Sequence, residues 1–312
     1  MGFAMNAANS GEKVSVASQM NCKDGIDDAI KISIAQNILT DLIYPEIQTR
    51  VKNCEIDAGY KPYKIHLLMY SDETRNEILL NDDVRIKGLI KFSDGLKPTV
   101  GQIIKGEDIE EILGLYPNDG NDPNAAHIMI VRINNKWHFA CDLIYDRERV
   151  RKRFDTAKEF LKVSEFCFKE KSWGPFCDNL FSATELTVQS ILLMHHNPFF
   201  STNQDHEKTR ELFTAYAENG NIDAEFAKNH AKLWELRKQG RYLTGVHKTS
   251  FNMEDNYAQN LLNTTKRMIE ETEKLFERVN FNRKTPIGDY VDFGISKDSH
   301  SSGLNKSQHT MS

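Results

Sequence analysis

The chain has 312 residues, of which 39% are hydrophobic and 27% are charged, and its formal net charge is −5. This length allows two domains with cores of their own. No apolar run approaches the roughly 18 residues that a membrane-spanning helix needs, so we expect a cytoplasmic protein without a membrane segment.

The charge is divided unevenly along the chain. Residues 1–150 carry 17 basic and 23 acidic side chains, whereas residues 151–312 carry 23 basic and 22 acidic ones. An acidic front half argues against a general nucleic-acid clamp, because binding to the phosphate backbone needs positive charge. Any contact with RNA in the neutral back half would therefore be local.

The cysteines do not suggest a disulfide framework. There are five of them, widely spaced, and no two form a CxxC pair. This pattern predicts reduced thiols in a reducing compartment rather than disulfides or a zinc site. We predict no metal ion and no cofactor.

The front of the chain predicts a small α+β domain over residues 25–146, after a disordered start at residues 1–24. Apolar side chains repeat at every fourth position, which predicts a helix over residues 26–51 that Pro45 kinks or divides. Three further segments follow: a strand at residues 64–70, a strand or helix at residues 77–92, and a short helix at residues 107–115.

The clearest β signal is a pair of apolar, β-branched and aromatic runs over residues 126–133 and 136–145. Asn134 and Asn135 separate the two runs, and asparagine tolerates the positive φ that a tight turn needs. The pattern therefore predicts a β-hairpin.

From Asp146 onward the hydrophobic period is helical, and four to five helices with short connections predict an all-α antiparallel bundle over residues 147–281. Their expected positions are residues 147–171, 175–195, 205–218, a fourth helix that Asp223 caps and that ends before His247, and residues 253–279. The second helix is apolar on more than one side, which predicts a central position. Residues 282–312 are polar and predict a disordered tail.

The sequence lacks the motifs of several common enzyme classes. It contains no GxxxxGK[ST] phosphate-binding loop, no GxGxxG after a strand, no HExxH and no GxSxG. The front half also lacks the Gly-Ser pair with a following Asp-x-Asp that a nucleotidyltransferase resembling polymerase β needs. These absences leave the helical half as the source of functional signals.

Three helical segments together resemble a HEPN domain, an all-α nucleotide-binding domain: FDTAKEFLKVSEFCFKEKSW, CDNLFSATELTVQSILLM and DHEKTRELFTAYAENGNIDAEFAKNHAKLWELRKQGRYLTG. Asn179 and Glu185 carry the resemblance in the second helix. Arg237, Arg241 and Tyr242 carry it at the end of the fourth. The likeness covers about residues 150–280 and not the front half.

The resemblance implies two alternative roles, both as a homodimer, and a third role without a ligand also stays open. In the first, the fourth-helix surface of Arg237, Arg241 and Tyr242 binds a nucleotide, RNA or a protein partner, with Asn179 and Glu185 as further binding residues. In the second, the protein is a metal-independent endoribonuclease of toxin or antiphage-defence type. Its Arg241 and His247, with five residues between them, would act across the dimer, the first stabilising charge and the second moving a proton. In the third, the bundle is a scaffold without a ligand.

A structural interpretation of the same residues also stands. It pairs Arg237 and Arg241 with Glu235 or with Glu185 and assigns them to bundle stability. His230, on a face of the fourth helix, is expected to be a packed or hydrogen-bonded core residue rather than a ligand.

Overall fold

The computed structural model describes residues 28–72, 76–93, 95–97, 99, 102–118, 122–133, 136–195, 205–242, 251–278, 290–292 and 304–307. The front half contains antiparallel strands with helices, and the back half is helical. This confirms an α+β region followed by a helical region.

Four antiparallel strands form the first sheet in the order β2-β1-β6-β7. Their bounds are β1 (Lys64–Met69), β2 (Glu77–Leu80), β6 (Ala126–Ile133) and β7 (Lys136–Asp142). Strands β6 and β7 pair from Ile133↔Lys136 to His127↔Asp142, which confirms the predicted hairpin. Its turn residues, Asn134 and Asn135, lie outside the described residues.

A second sheet has the strand order β4-β9-β8-β3-β5. Its strands are β3 (Ile86–Phe92), β4 (Ile103–Ile104), β5 (Ile109–Pro117), β8 (Tyr290–Asp292) and β9 (Leu304–Ser307). The last two strands come from residues 282–312, for which the polar composition predicts a tail. Pairing of β8 with β3 gives these residues backbone partners that composition does not reveal.

The prediction of a short helix over residues 107–115 is wrong, because most of this segment lies in β5. The pairing of β5 with β3 shifts register at two places. Each shift is a bulge that adds one residue to the strand, so the buried Ile109 and Ile112 lie three positions apart instead of two. Apolar side chains at that spacing imitate the period of a helix.

The first helical layer consists of α1 (Asp28–Ile38), a π-helical turn (Leu39–Ile43) and α2 (Tyr44–Lys52). The Tyr44 N–H donates to the carbonyl of Leu39, five residues back. Pro45 explains this local change, since proline has no N–H and its ring excludes the carbonyl four residues earlier. The helix is therefore modified before Pro45 but not ended by it.

Two apolar cores hold the front half together in three layers. One lies between the helical layer and the first sheet and includes Ile43, Ile65 and Trp137. The other lies between the two sheets and includes Ile86 and Met129. Both faces of the first sheet are thus covered.

Two histidines are buried on the face of the first sheet that carries Met129. His66 Nε2 lies 3.0 Å from His127 Nδ1, and the residues are 0% and 3% exposed. Burial, with a smaller effect of His127, lowers the pKa of His66 to about 3. Burial, with a smaller effect of the Arg147 charge, lowers the pKa of His127 to about 4. Both imidazoles are therefore neutral at pH 7.

The back half contains α3 (Arg147–Lys169), α4 (Trp173–Met194), α5 (His206–Glu218), α6 (Ala224–Tyr242) and α7 (Asp255–Arg278). Helix α4 packs against all four of the others and buries nearly its whole length, which confirms its central position. Asp223 Oδ1 accepts the Glu225 N–H at 2.8 Å, as expected for a cap of α6. No helix in the described ranges is long and apolar enough to cross a membrane.

The basic run that opens α3 is used inside the molecule. Arg147 forms a buried ion pair with Asp142 at the end of β7. Arg151 bonds to Glu273 at 2.9 Å and to Glu277, both on α7. Arg147 therefore joins the sheet region to the bundle, and Arg151 joins two helices of the bundle.

Candidate functional site

Glu185 on α4 is the centre of a polar cluster to which α5 and α6 also contribute. Its Oε2 accepts a hydrogen bond from His230 Nε2 at 2.6 Å. Its Oε1 accepts from His206 Nδ1 at 2.8 Å and from Gln189 Nε2 at 3.1 Å. Glu185 is 4% exposed, whereas the His206 side chain is 43% exposed. The cluster therefore runs from the core of the bundle to its surface.

Helix caps and helix packing place these side chains. Asp205 Oδ1 accepts the Glu207 N–H at 2.8 Å, so α5 begins with His206 over α4. Asn229 Nδ2 donates to Thr265 Oγ1 at 3.1 Å, which ties α6 to α7 beside His230. The histidines thus approach one carboxylate from two helices.

The carboxylate is held in its charged form. Burial alone raises the pKa of Glu185, but the hydrogen bonds and charges of His230 and His206 together outweigh burial and hold this pKa below its usual value. An ionised carboxylate only accepts, so both histidines donate to it. With Nδ1 donating, a neutral His206 keeps Nε2 as an acceptor, and no described residue bonds to that nitrogen.

Aromatic rings surround the histidines. The His206 ring centroid lies 5.4 Å from Trp234 and 5.9 Å from Phe181. The His230 ring stacks on the same Phe181 ring, with the two centroids 5.6 Å apart. Trp234 is only partly buried, so one edge of this aromatic group reaches the surface.

Positive charge continues along α6 beyond the aromatic rings. Arg237 Nε donates to Asp178 Oδ1 at 2.8 Å, and its Cζ lies 4.8 Å from the Phe181 centroid. Lys238 Nζ lies 4.6 Å from the Trp234 centroid. Arg241 is 48% exposed, with Nη2 3.8 Å from Asp178 Oδ2. We call the surface of Trp234, Lys238 and Arg241, all on α6, the α6 face, and His206 of α5 lies beside it.

The structure brings Arg237 and Arg241 together, but their acidic partner differs from the residues that sequence suggested. They share Asp178, not Glu235 or Glu185. Helices α4 and α6 run antiparallel, so the first turns of α4 lie opposite the last turns of α6. Glu185, two turns further along α4, therefore lies opposite His230, whose burial and hydrogen bond confirm the expected core role.

Asn179, another of the proposed site residues, does not join this cluster. Asn179 donates to the Pro175 carbonyl of its own helix at 2.7 Å. Tyr242 is the last residue of α6, and its side chain lies outside the described residues, as does His247. The structure therefore connects Glu185, Arg237 and Arg241 but leaves the pairing of Arg241 with His247 a prediction.

Sequence reasoning missed Asp178, His206 and Trp234 as members of one site. A signal was present, since Asp178 and Glu185 are seven residues apart on α4 and Trp234 precedes Lys238 by four on α6. Such spacings keep side chains on one side of a helix. The sequence does not show that these two sides face one another.

A groove lies elsewhere in the described part of the chain and has different chemistry. It has a volume of about 600 Å³ and separates α2 from the edge strand β2. Its lining carries acidic side chains, among them Asp41, Glu46 and Glu77, and its Arg50 bonds to Glu46 and to the Ile78 carbonyl. This groove suits an anionic ligand less well than the α6 face.

The described residues do not indicate a metal site, and Cys177, next to Asp178, is unsuited to thiol chemistry. Among them, no three His, Cys, Asp or Glu side chains are arranged to hold a metal ion. Cys177 is buried, and burial raises the pKa of its thiol to about 12.

No protein-family model matches the sequence, and no curated protein matches it either. Function therefore has to be inferred from the side chains of the site.

Proposed function

We propose that the back half is a HEPN-like bundle that binds single-stranded RNA through the α6 face. The observation that carries the proposal is a partly buried indole ring, Trp234, with the exposed Lys238 beside it and the exposed Arg241 about one turn further along α6. Aromatic rings stack on bases, and Lys and Arg neutralise phosphates. The likeness of residues 150–280 to a nucleotide-binding domain supports the same class of ligand.

Arg237 supports this face rather than serving as its main contact. Its guanidinium is 20% exposed, bonds to Asp178 and stacks on Phe181. Lys238 also lies 3.4 Å from Glu235. Three cations therefore stand beside two carboxylates, which leaves a local positive surface on an overall acidic protein.

Binding can be tested by the fluorescence anisotropy of a short labelled single-stranded RNA. Trp234→Ala should weaken binding about tenfold, because stacking of one base contributes roughly 1–3 kcal/mol. Arg241→Ala should also weaken binding. It should reduce the slope of log affinity against log salt by about 0.7, the contribution of one phosphate contact.

Arg267→Ala is the matched control. Arg267 is 45% exposed, and its Cζ lies 5.0 Å from the Phe226 ring, but it belongs to α7 and pairs with Asp223 and Glu225. The control should bind RNA as wild type does. Unchanged binding by both Trp234→Ala and Arg241→Ala would contradict the proposed surface, and absence of binding by wild type would favour a scaffold without a ligand.

A second candidate function is metal-independent RNA cleavage by Arg241 and His247 across a homodimer. It is favoured by the position of Arg241, which is half-exposed at the end of α6. Wild type and the double variant Arg241→Ala/His247→Ala should then differ in cleavage of RNA without divalent metal. Equal cleavage would count against this pair, and a monomeric mass by light scattering would count against the dimer.

A further inference from the structure

We infer that His206 is a proton-transfer residue acting on RNA bound at the α6 face, with Glu185 and His230 as its positioning residues. This inference rests on the proposed binding of RNA and adds a reaction to it. It differs from the Arg241 and His247 mechanism, because the proton acceptor comes from α5 of the same bundle.

The first argument is the distribution of hydrogen bonds on Glu185. A buried carboxylate needs donors, and His230 and Gln189 supply two from the interior, at 2.6 and 3.1 Å. The third donor, His206, has a side chain that is 43% exposed. The bond from His206 to the buried Glu185 fixes the imidazole of His206. Burial of Glu185 does not by itself require this third donor.

The second argument is the orientation of the His206 ring. Its Nδ1 is held at 2.8 Å by Glu185, and the Trp234 and Phe181 rings lie 5.4 and 5.9 Å from its centroid. The carboxylate selects the tautomer in which Nε2 accepts a proton, and it stabilises the imidazolium that forms afterwards. His206 is therefore preorganised as a general base.

The third argument is the position of the proposed ligand. His206 and Lys238 approach the same indole ring, at 5.4 and 4.6 Å from its centroid. A base stacked on Trp234 would thus place its ribose and phosphate between the imidazole and the cations of α6. The 2′-hydroxyl is the group of that nucleotide that a general base can activate.

The reaction is an internal transesterification of the RNA strand. His206 Nε2 takes the proton of the 2′-hydroxyl, and the 2′-oxygen forms a bond to the neighbouring phosphorus. The bond from phosphorus to the 5′-oxygen breaks, that oxygen takes a proton from water, and the hydroxide so formed removes the proton from His206. The products are a 2′,3′-cyclic phosphate and a 5′-hydroxyl, with no oxidant, reductant or further reactant.

The test compares a short single-stranded RNA with its 2′-deoxy analogue on the full chain, with divalent metals chelated. Wild type should bind both strands and cleave only the RNA. His206→Ala should bind the 2′-deoxy strand unchanged but cleave RNA at least about 100-fold more slowly, the lower range of general-base effects. Added imidazole should restore part of the rate, because the half-exposed site admits it.

Lys208→Ala serves as the control on α5, since Lys208 is 44% exposed, pairs with Glu211 and lies two positions from His206, on another side of the helix. It should cleave as wild type does. Glu185→Gln should lower kcat with little change in KM if its role is to position His206. Because Glu185 is buried, the thermal unfolding of Glu185→Gln must be measured as well. His206 is half-exposed, so His206→Ala is the variant that decides the test.

Three results would overturn the inference. They are cleavage by His206→Ala at the wild-type rate, lack of rescue by imidazole, and binding of both strands by wild type without cleavage of the RNA. The last result leaves the proposed binding function intact. Failure of wild type to bind either strand would overturn both proposals.

Discussion

At the scale of single residues, the protein buries polar groups in two ways. Glu185 remains charged in the core because His206, His230 and Gln189 donate to it. The buried pair of His66 and His127 instead remains neutral, and one ring donates to the other. The first arrangement keeps a charged carboxylate in the core that can orient the histidines around it, whereas the second avoids a buried charge.

The neutral pair predicts that the protein loses stability in mild acid. The folded-state pKa values of His66 and His127 are about 3 and about 4, below the ordinary value of about 6.5. The unfolded chain therefore takes up protons first as the pH falls. The free energy of unfolding is therefore highest, as far as this pair is concerned, above about pH 6.5. It falls as the pH falls toward the folded-state pKa values, by roughly 1–2 kcal/mol per histidine at about pH 5. Urea unfolding at a series of pH values measures it.

Variants at the pair provide the control for this prediction. His66→Leu/His127→Leu should reduce the slope of the unfolding free energy against pH. His127→Leu alone leaves His66 Nε2 buried without its hydrogen-bond partner and should cost about 1–3 kcal/mol. A pH slope that persists in the double variant would assign the effect to other groups.

At the scale of elements, the crossing of α4 and α6 creates the site. A Cβ added at Gly174 would lie 3.2 Å from the Gly240 carbonyl oxygen, and one added at Gly240 would lie 3.1 Å from Gly174 Cα. The two backbones are therefore in contact at this crossing. This close approach brings Asp178 to Arg237 and Arg241.

A side chain at this crossing should disturb both stability and ligand binding. Gly240→Val would press on the backbone of α4, and overpacking of this kind costs about 1–3 kcal/mol. It should also weaken RNA binding, because the next residue is Arg241. Gly59→Ala is the control, since a Cβ there meets no atom within 4 Å. Thermal unfolding and anisotropy measure the two effects, and equal stability of the two variants would contradict the close crossing.

At the scale of the whole molecule, the sheet region and the bundle are joined by polar contacts around the start of α3. The buried pair of Asp142 and Arg147 lies at the chain connection, and the Tyr145 N–H donates to the Met194 carbonyl at 3.1 Å. Arg147 also lies over Phe276 of α7, with Cζ 6.0 Å from the ring. Arg147 thus contacts both halves.

Loss of Arg147 should therefore uncouple the two halves. Arg147→Met leaves the Asp142 carboxylate buried without its cation and should cost about 3–5 kcal/mol. We expect the calorimetric unfolding transition to broaden or divide into two. Asp142→Asn/Arg147→Met should recover much of the loss, since the amide oxygen can still accept the Ile144 N–H that Asp142 accepts at 3.1 Å. No recovery in the double variant would contradict this explanation.

Local patterns in the sequence determined much of the architecture. The β6–β7 hairpin, the helices of the back half and the central position of α4 follow from side-chain periods of two and 3.6, which depend only on near neighbours. The resemblance to a known domain, rather than periodicity, selected Glu185, Arg237 and Arg241 as candidate site residues.

Only the tertiary structure decided which of these surfaces meet. The bulges of β5 depend on its pairing with β3, and the strands β8 and β9 depend on a sheet formed by residues far away in sequence. The contacts of Asp178 with Arg237, and of Glu185 with His206 and His230, depend on the packing of three helices. Periodicity shows which side of a helix is apolar or charged. It does not specify which other helix that side faces, because that choice depends on the packing of the whole core.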